Sequence, residues 1–263
     1  MSHRKTYNTH AEKLAVLYED NEYIAINKPV ETLVHRSPIS EDTFSLLQLM
    51  RRQLGRRVYP VHRLDRATSG VLVWGKTSEA AGRLAALFYQ RTIQKIYLAI
   101  VRGWTDDSGE IDYPIKPPNR PQTDGLPAQT TYQTLARSEK PWAISSRYTS
   151  ARFSLVLACP KTGRWHQIRR HLAHLRHPII GDKHYGDNKH NKFFRDHLGI
   201  HRLLLHAWRL TFVHPTQGIE ICIEAPLDEA FSSAIELLSL ECNAINLLSN
   251  RAKESPAKDY LQT

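Results

Sequence analysis

The residues best suited to chemistry lie in one short run, His62-Arg63-Leu64-Asp65-Arg66-Ala67-Thr68-Ser69-Gly70. Asp65 has arginines close on either side, and nearby positive charge keeps a carboxylate ionised. An ionised carboxylate held where a loop enters a strand serves as a nucleophile or a base. The same residues also fit an aspartate that salt-bridges Arg63 merely to hold the loop, because structural ion pairs perturb carboxylates too. A second run, Lys95-Ile96-Tyr97, puts a tyrosine on a predicted sheet face. There it can stack on a base or move a proton through its hydroxyl, or simply fill half-buried sheet surface. A third, KTGRWHQIRRHL over 161–172, sets Lys161 and Arg164 in a turn before a helix carrying Ile168, Arg169 and Arg170. Helix starts and guanidinium forks hold phosphates, although a solvated basic helix has the same composition.

The histidines raise a metal-dependent alternative, since His171 and His174 lie three apart with His166 and His177 near them. The arginines among them would repel a dication, and no carboxylate or cysteine partner has the usual ligand spacing, so no metal is expected. No GxGxxG, P-loop or G-x-S-x-G pattern is present.

Elements that could position these residues follow from periodicity and turn residues. Short strands are predicted over 14–17, 23–27, 71–74, 93–101, 130–135 and 153–157. Helices are predicted over 43–54, with Phe44 on its apolar face, over 78–90, capped by Thr77 or Ser78, and over 167–175. Residues 203–213 and 218–225 form a predicted hairpin. A final helix spans 231–248, with Ile235, Leu238, Cys242 and Ile245 on one stripe. The proline-rich stretch 102–128 reads as an irregular connection between two lobes, and 178–202 as polar loop. Residues 1–13 read as a flexible arm and 249–263 as a frayed tail, leaving 14–248 as a single domain. Strands and helices are interspersed and several neighbouring strands lack a helix between them. That pattern favours an α+β fold on a mixed sheet over a doubly wound one.

The chain has 263 residues, 41% hydrophobic and 24% charged, with a net charge of +10. That composition is ordinary for a globular protein and excludes a disordered or collagenous chain. No apolar run is long enough to cross a membrane, and the N-terminus lacks a signal-peptide core. Cys159, Cys222 and Cys242 are far apart, which fits a reducing, cytoplasmic setting. Residues 161–210 hold eleven Lys or Arg against three acids and nine of the fourteen histidines, whereas 219–263 carries a charge of −5. A basic body favours polyanions, nucleic acid first, though a basic solvated surface gives the same count.

The motifs together resemble the pseudouridine synthases of the RluA type. HRLDRATSG followed by GVLVWGKT, then QKIYLAIVRG, KTGRWHQIRRHL, PIIGDKHYG and LLLHA match that family's motifs in order. The match spans roughly 14–225 and leaves out the arm and the tail. The stretches 113–128 and 186–200 follow no family pattern.

The resemblance implies a pseudouridine synthase fold, with a mixed, mostly antiparallel sheet, flanking helices and a central catalytic cleft. It implies isomerisation of uridine in RNA, most specifically uridine 65 of tRNA, with ribosomal RNA as the alternative substrate. It assigns Asp65 as the catalytic carboxylate, attacking C1′ or removing the 2′ proton. Arg63 would displace the base, Tyr97 stack on it, Ile168 pack against it, and Arg169 pair with Asp65. His62, Arg66, Lys161, Arg164 and Arg170 are expected to bind the RNA. Because the reaction adds and removes nothing, no cofactor is expected. A cytoplasmic monomer is expected, and Arg169→Ala is expected to lower turnover more than stability. A non-catalytic RNA-binding protein and a metal-dependent nuclease are the competing classes.

Overall fold

The run SGVLVWG folds as a strand with every residue buried, and the other elements are arranged around it. The structure, a computed structural model, describes residues 13–34, 45–119, 122 and 124–241. In chain order the elements are β1 (Val16–Glu19), β2 (Tyr23–Lys28), α1 (Leu46–Leu54), β3 (Tyr59–Pro60), β4 (Ser69–Gly75), α2 (Ser78–Gln90) and β5 (Gln94–Arg102). They continue with β6 (Ser108–Asp112), β7 (Gln129–Lys140), β8 (Ala151–Pro160), α3 (Gln167–His174), α4 (Asn188–Leu198), β9 (Leu205–Val213), β10 (Glu220–Glu224) and α5 (Glu229–Leu238).

One sheet runs β1-β2-β4-β9-β5-β8-β7-β6, with β3 beside β4 and β10 beside β9. Every pairing of these strands is antiparallel except that between β4 and β9. The sheet is buried on two faces around β2 and β4, and the period-two alternation of a strand sorts the side chains. Tyr23, Ala25, Val71 and Val73 pack with Ala80 and Leu84 of α2, while Ile24, Ile26, Leu72 and Trp74 pack with Leu46 and Met50 of α1. A third apolar cluster joins β5 and β8 to α3, α4 and α5.

The feature that makes room for a site is the seam between β4 and β9. The two strands run parallel and register only at Ser69 with His206 and Gly70 with Ala207. Beyond that point β10 takes the edge of β9 that β4 has left. The Val73 N–H, with no β9 carbonyl to meet, donates instead to Nε2 of His62 at 3.1 Å.

Several predicted boundaries change for local reasons. The first strand is Val16–Glu19, not 14–17. The first helix starts at Leu46 because Ser45 and Gln48 form a capping box, and Phe44 lies outside the described residues. The stretch 102–128 is not wholly irregular, since β6 forms within it and pairs with β7. The strand predicted to end at 135 continues to Lys140 against β8. The supposed loop 178–202 contains α4, capped by Asp187 and closed by Gly199 in the left-handed conformation. The last helix covers Glu229–Leu238 and ends where Ser239 turns left-handed, so it does not reach 248. Cys242 and Ile245, residues 1–12 of the arm and the tail 249–263 lie outside the described residues.

Candidate active site

Asp65 belongs to the loop that leads into β4, and that loop is tied down from below. The Asp65 carbonyl accepts the Thr68 N–H at 3.1 Å, closing a turn. Beneath it the fully buried Lys28 ammonium donates to the carbonyls of Pro29, Arg66 and Thr68 at 2.9, 3.0 and 2.7 Å. Burial, and then the charge of Arg202, push Lys28 down to about 7. At the start of β4 the Ser69 hydroxyl bonds Nδ1 of buried His206 at 2.7 Å and accepts from Arg202 at 3.0 Å. Gly70 then adopts φ +111 against β9, where a Cβ would run into the Ala207 backbone.

Arg169 comes from α3, whose start is built by side chains. The Gln167 amide oxygen accepts the Arg164 N–H and the Thr162 hydroxyl at 2.9 and 2.7 Å, and its nitrogen donates to the Gln129 carbonyl at 2.8 Å. These bonds fasten the 161–166 turn to β7. Arg169 points from that helix into two carboxylates. It grips Asp182 with Nε and Nη2, both at 2.8 Å, and reaches Asp65 with Nη1 at 3.3 Å. Asp182 also accepts the N–H groups of His184 and Tyr185. Although burial opposes its charge, the hydrogen bonds and charge of Arg169 hold its carboxyl below the usual range.

His166 precedes α3 in the left-handed conformation, φ 55, which is uncommon for a residue with a Cβ. Its Nδ1 lies 3.2 Å from the Tyr185 hydroxyl and its Nε2 lies 3.7 Å from Asp65. Burial pushes it down to about 4, so the imidazole is neutral at physiological pH despite the carboxylate beside it. Tyr97 stands beside a register shift in the β5–β9 ladder, the kind of irregularity that re-aims a side chain. Burial, and secondarily the Asp65 charge, push its phenol well above the usual range, so it is a neutral ring and hydroxyl.

These groups line one cavity of about 590 Å³. His62, Arg63, Asp65, Tyr97, Lys161, Arg164, Ile168 and Arg169 all lie on its wall, where Asp65 and Arg169 meet from positions 104 residues apart. Among the described lining residues Asp65 is the one carboxylate, against six Lys or Arg. Two residues expected to bind RNA lie off this wall. Arg66 pairs with Glu31 at 3.5 Å, and Arg170 donates to the Lys116 carbonyl at 2.8 Å. His62 does line the cavity, but its ring serves the Val73 N–H, stacks on Phe88, and is pushed down to about 3 by burial. The paired histidines of α3 part company. His171 is buried between Thr130 and the Tyr113 carbonyl, and His174 stacks on Tyr113.

A family model described as RNA pseudouridylate synthase matches residues 22–174, a stretch that contains Asp65, Tyr97 and Arg169. The chain belongs to that family. Among curated relatives of this pseudouridylate synthase, tRNA pseudouridine synthase C of Pasteurella multocida is 44% identical over 242 residues, covering 89% of this chain and 99% of the relative. The proteins of the same name from Salmonella typhimurium and Vibrio parahaemolyticus are 46% and 43% identical, covering 84% and 83% of this chain and 88% and 92% of theirs. The fold agrees with two solved human structures. RNA Pseudouridylate Synthase Domain Containing 4 superposes with a TM-score of 0.66 at 26% identity, covering 86% of this chain and 94% of that one. RNA Pseudouridylate Synthase Domain Containing 1 gives 0.66 at 23% identity, over 94% and 98%.

Membership also accounts for the expected α+β fold and its mixed, mostly antiparallel sheet. Two residues of this synthase's site, Asp182 and Tyr185, were not singled out by sequence and stood only within the PIIGDKHYG motif. His166 entered the sequence reading only beside the metal alternative. The signal for Asp182 was its position within PIIGD after a helix rich in arginine.

Proposed function

We propose that this synthase isomerises uridine to pseudouridine in tRNA, at position 65, with Asp65 as the catalytic carboxylate. The observation that carries the assignment is Asp65 as the sole carboxylate among the described residues of a cationic cavity wall, 3.3 Å from Arg169 and beside Tyr97. The reaction breaks the N1–C1′ bond, turns the base and joins C5 to C1′. The C5 proton leaves and N1 gains one, so nothing is added or removed overall and no cofactor is called for. Attack at C1′ and removal of the 2′ proton both use the same carboxylate.

A uridine must leave its stack to reach Asp65, at a cost of a few kcal/mol. Arg63, exposed on the cavity wall, would fill the space the base vacates. Tyr97, neutral and half-buried, offers its ring to the uracil, and buried Ile168 offers an apolar contact. Lys161 and Arg164 supply charge for the phosphates. The tRNA assignment is supported by the names of the relatives. We read the enzyme as a cytoplasmic monomer whose residues 14–248 form one catalytic domain.

The test is pseudouridine mapping at single-nucleotide resolution on unmodified tRNA and ribosomal RNA, with chelator present. Product at tRNA position 65, absent with Asp65→Asn, is the expected result. Product only in ribosomal RNA would overturn the substrate. Binding without product in either would favour the non-catalytic class, and shortened RNA would favour a nuclease.

A further inference from the structure

Tyr89 is the most exposed large hydrophobic side chain on the cavity wall, at 89%, and that side chain makes no hydrogen bond or ring contact with any described residue. Folding therefore gives no account of it. It sits in the last turn of α2, two residues before Arg91, which takes the left-handed conformation (φ 61) at a helix end that favours glycine. Trp165 reaches the same cavity from the turn before α3. One face of its indole is stacked on His166 at 3.8 Å, while 41% of the residue remains exposed.

Other exposed aromatic residues lie off this wall, Tyr148 among them. Trp104 lies under Arg152 and donates to the Ser138 carbonyl, and Tyr113 stacks on His174. Tyr89 and Trp165 thus share a wall with exposed Arg63, Arg91 and Lys161. Free aromatic faces interleaved with cations are the chemistry of single-stranded nucleic acid sites. Bases stack on the rings with little regard to sequence, and the cations follow the phosphates.

We infer that Tyr89 and Trp165 form a stacking rim that receives the bases flanking the extruded uridine, with Arg91 on the intervening phosphate. This rests on the isomerase reading above and adds a requirement to it. The RNA must open on both sides of its target, because a base still paired in a helix cannot present its face to the rim. Extrusion takes stacking from the neighbours of the flipped base, and the two rings would return part of it.

The experiment uses the full-length protein and a tRNA transcript with 2-aminopurine beside the uridine that the mapping identifies. Stacking on an aromatic ring quenches that probe. Tyr89→Ala should raise KM roughly 5- to 150-fold, the range for loss of one stacked base. Tyr89→Phe should keep the parental KM, because the ring rather than the hydroxyl is at work. In the Asp65→Asn complex, added Tyr89→Leu should brighten the probe. Since tyrosine carries no charge, Tyr89→Ala should leave the salt dependence of binding unchanged, whereas Arg91→Ala should lower the slope by about one. The melting temperature of Tyr89→Ala should match the parent, as expected for so exposed a residue. A parental KM and an unchanged probe in the Tyr89 variants, from an enzyme that makes pseudouridine, would overturn the rim. Absence of product from the wild type would sink the isomerase reading and the rim with it.

Discussion

Arg169 grips Asp182 through two parallel hydrogen bonds of 2.8 Å, with both side chains shielded from solvent. A forked, charge-assisted pair of this kind fixes the guanidinium plane. Asp182 therefore sets where the remaining Nη1 points, which is at Asp65. The geometry adds a stability cost to the turnover loss expected of Arg169→Ala. Removing one partner of a buried pair leaves the other charge stranded, at a cost of about 3–5 kcal/mol. Arg169→Ala should lower both the melting temperature and turnover. The double change Arg169→Met with Asp182→Leu should recover most of the melting temperature and none of the turnover. Recovered turnover in the double variant would remove Arg169 from the chemistry.

Asp65→Asn keeps the size of the side chain and removes its charge. Turnover should fall below detection while RNA affinity stays within several-fold of the parent, since the cations of the cavity remain. Substantial residual product would show that another group does the work.

Acid should destabilise the fold through its buried imidazoles. Burial pushes His62 down to about 3 and His166 and His206 to about 4, against an ordinary value of 6.5. Below pH 6.5 the unfolded chain therefore binds protons that the native chain declines. Stability is complete above that value and is lost as the pH falls through about 4. His206, fully buried between Ser69 and the Ala225 carbonyl, accounts for on the order of 3 kcal/mol of this loss. Melting temperatures should fall steadily from pH 7 to pH 4.5, and His206→Asn should flatten that slope. A level profile in the wild type would contradict the assignment.

Gly70→Ala should abolish turnover and cost several kcal/mol of stability. The new methyl group would meet the Ala207 backbone at a φ of +111, a conformation that residues with a Cβ avoid. Relief would require separating β4 from β9, which also frees the Asp65 loop. A melting temperature within a degree or two of the parent would show that the seam can yield.

How much was legible follows from how local each signal is. The helix Ser78–Gln90 was readable to the residue, because its cap Thr77 and its apolar face lie within the segment. Asp65, Tyr97 and Arg169 were singled out by the family resemblance of the runs they sit in, since their residue types alone left structural readings open, and the fold brings all three to one cavity wall. The helix Asn188–Leu198 was not readable, since only Phe193, Phe194 and Leu198 of its 11 residues are apolar, too few for a stripe. Its markers were Asp187 and Gly199, one at each end. Asp182 escaped for a different reason. In sequence it is an aspartate after glycine, and only burial opposite Arg169 distinguishes it from a turn residue. Arg66 shows the converse. It was expected to bind RNA, but the turn sends it toward Glu31, off the cavity wall.

The place of β9 between β4 and β5 has a consequence for the order of events at the ribosome. The two early strands are synthesised by residue 102, yet the strand that joins them ends at Val213. Until then each presents an open edge at what will become the middle of the sheet, and long-range closure of this kind is slow and exposed to mispairing. Because the Asp65 loop is anchored through Ser69 to His206, a nascent chain that already carries Asp65, Tyr97 and Arg169 still has no assembled site. Catalytic competence arrives late and all at once, when the last central strand slides into the gap.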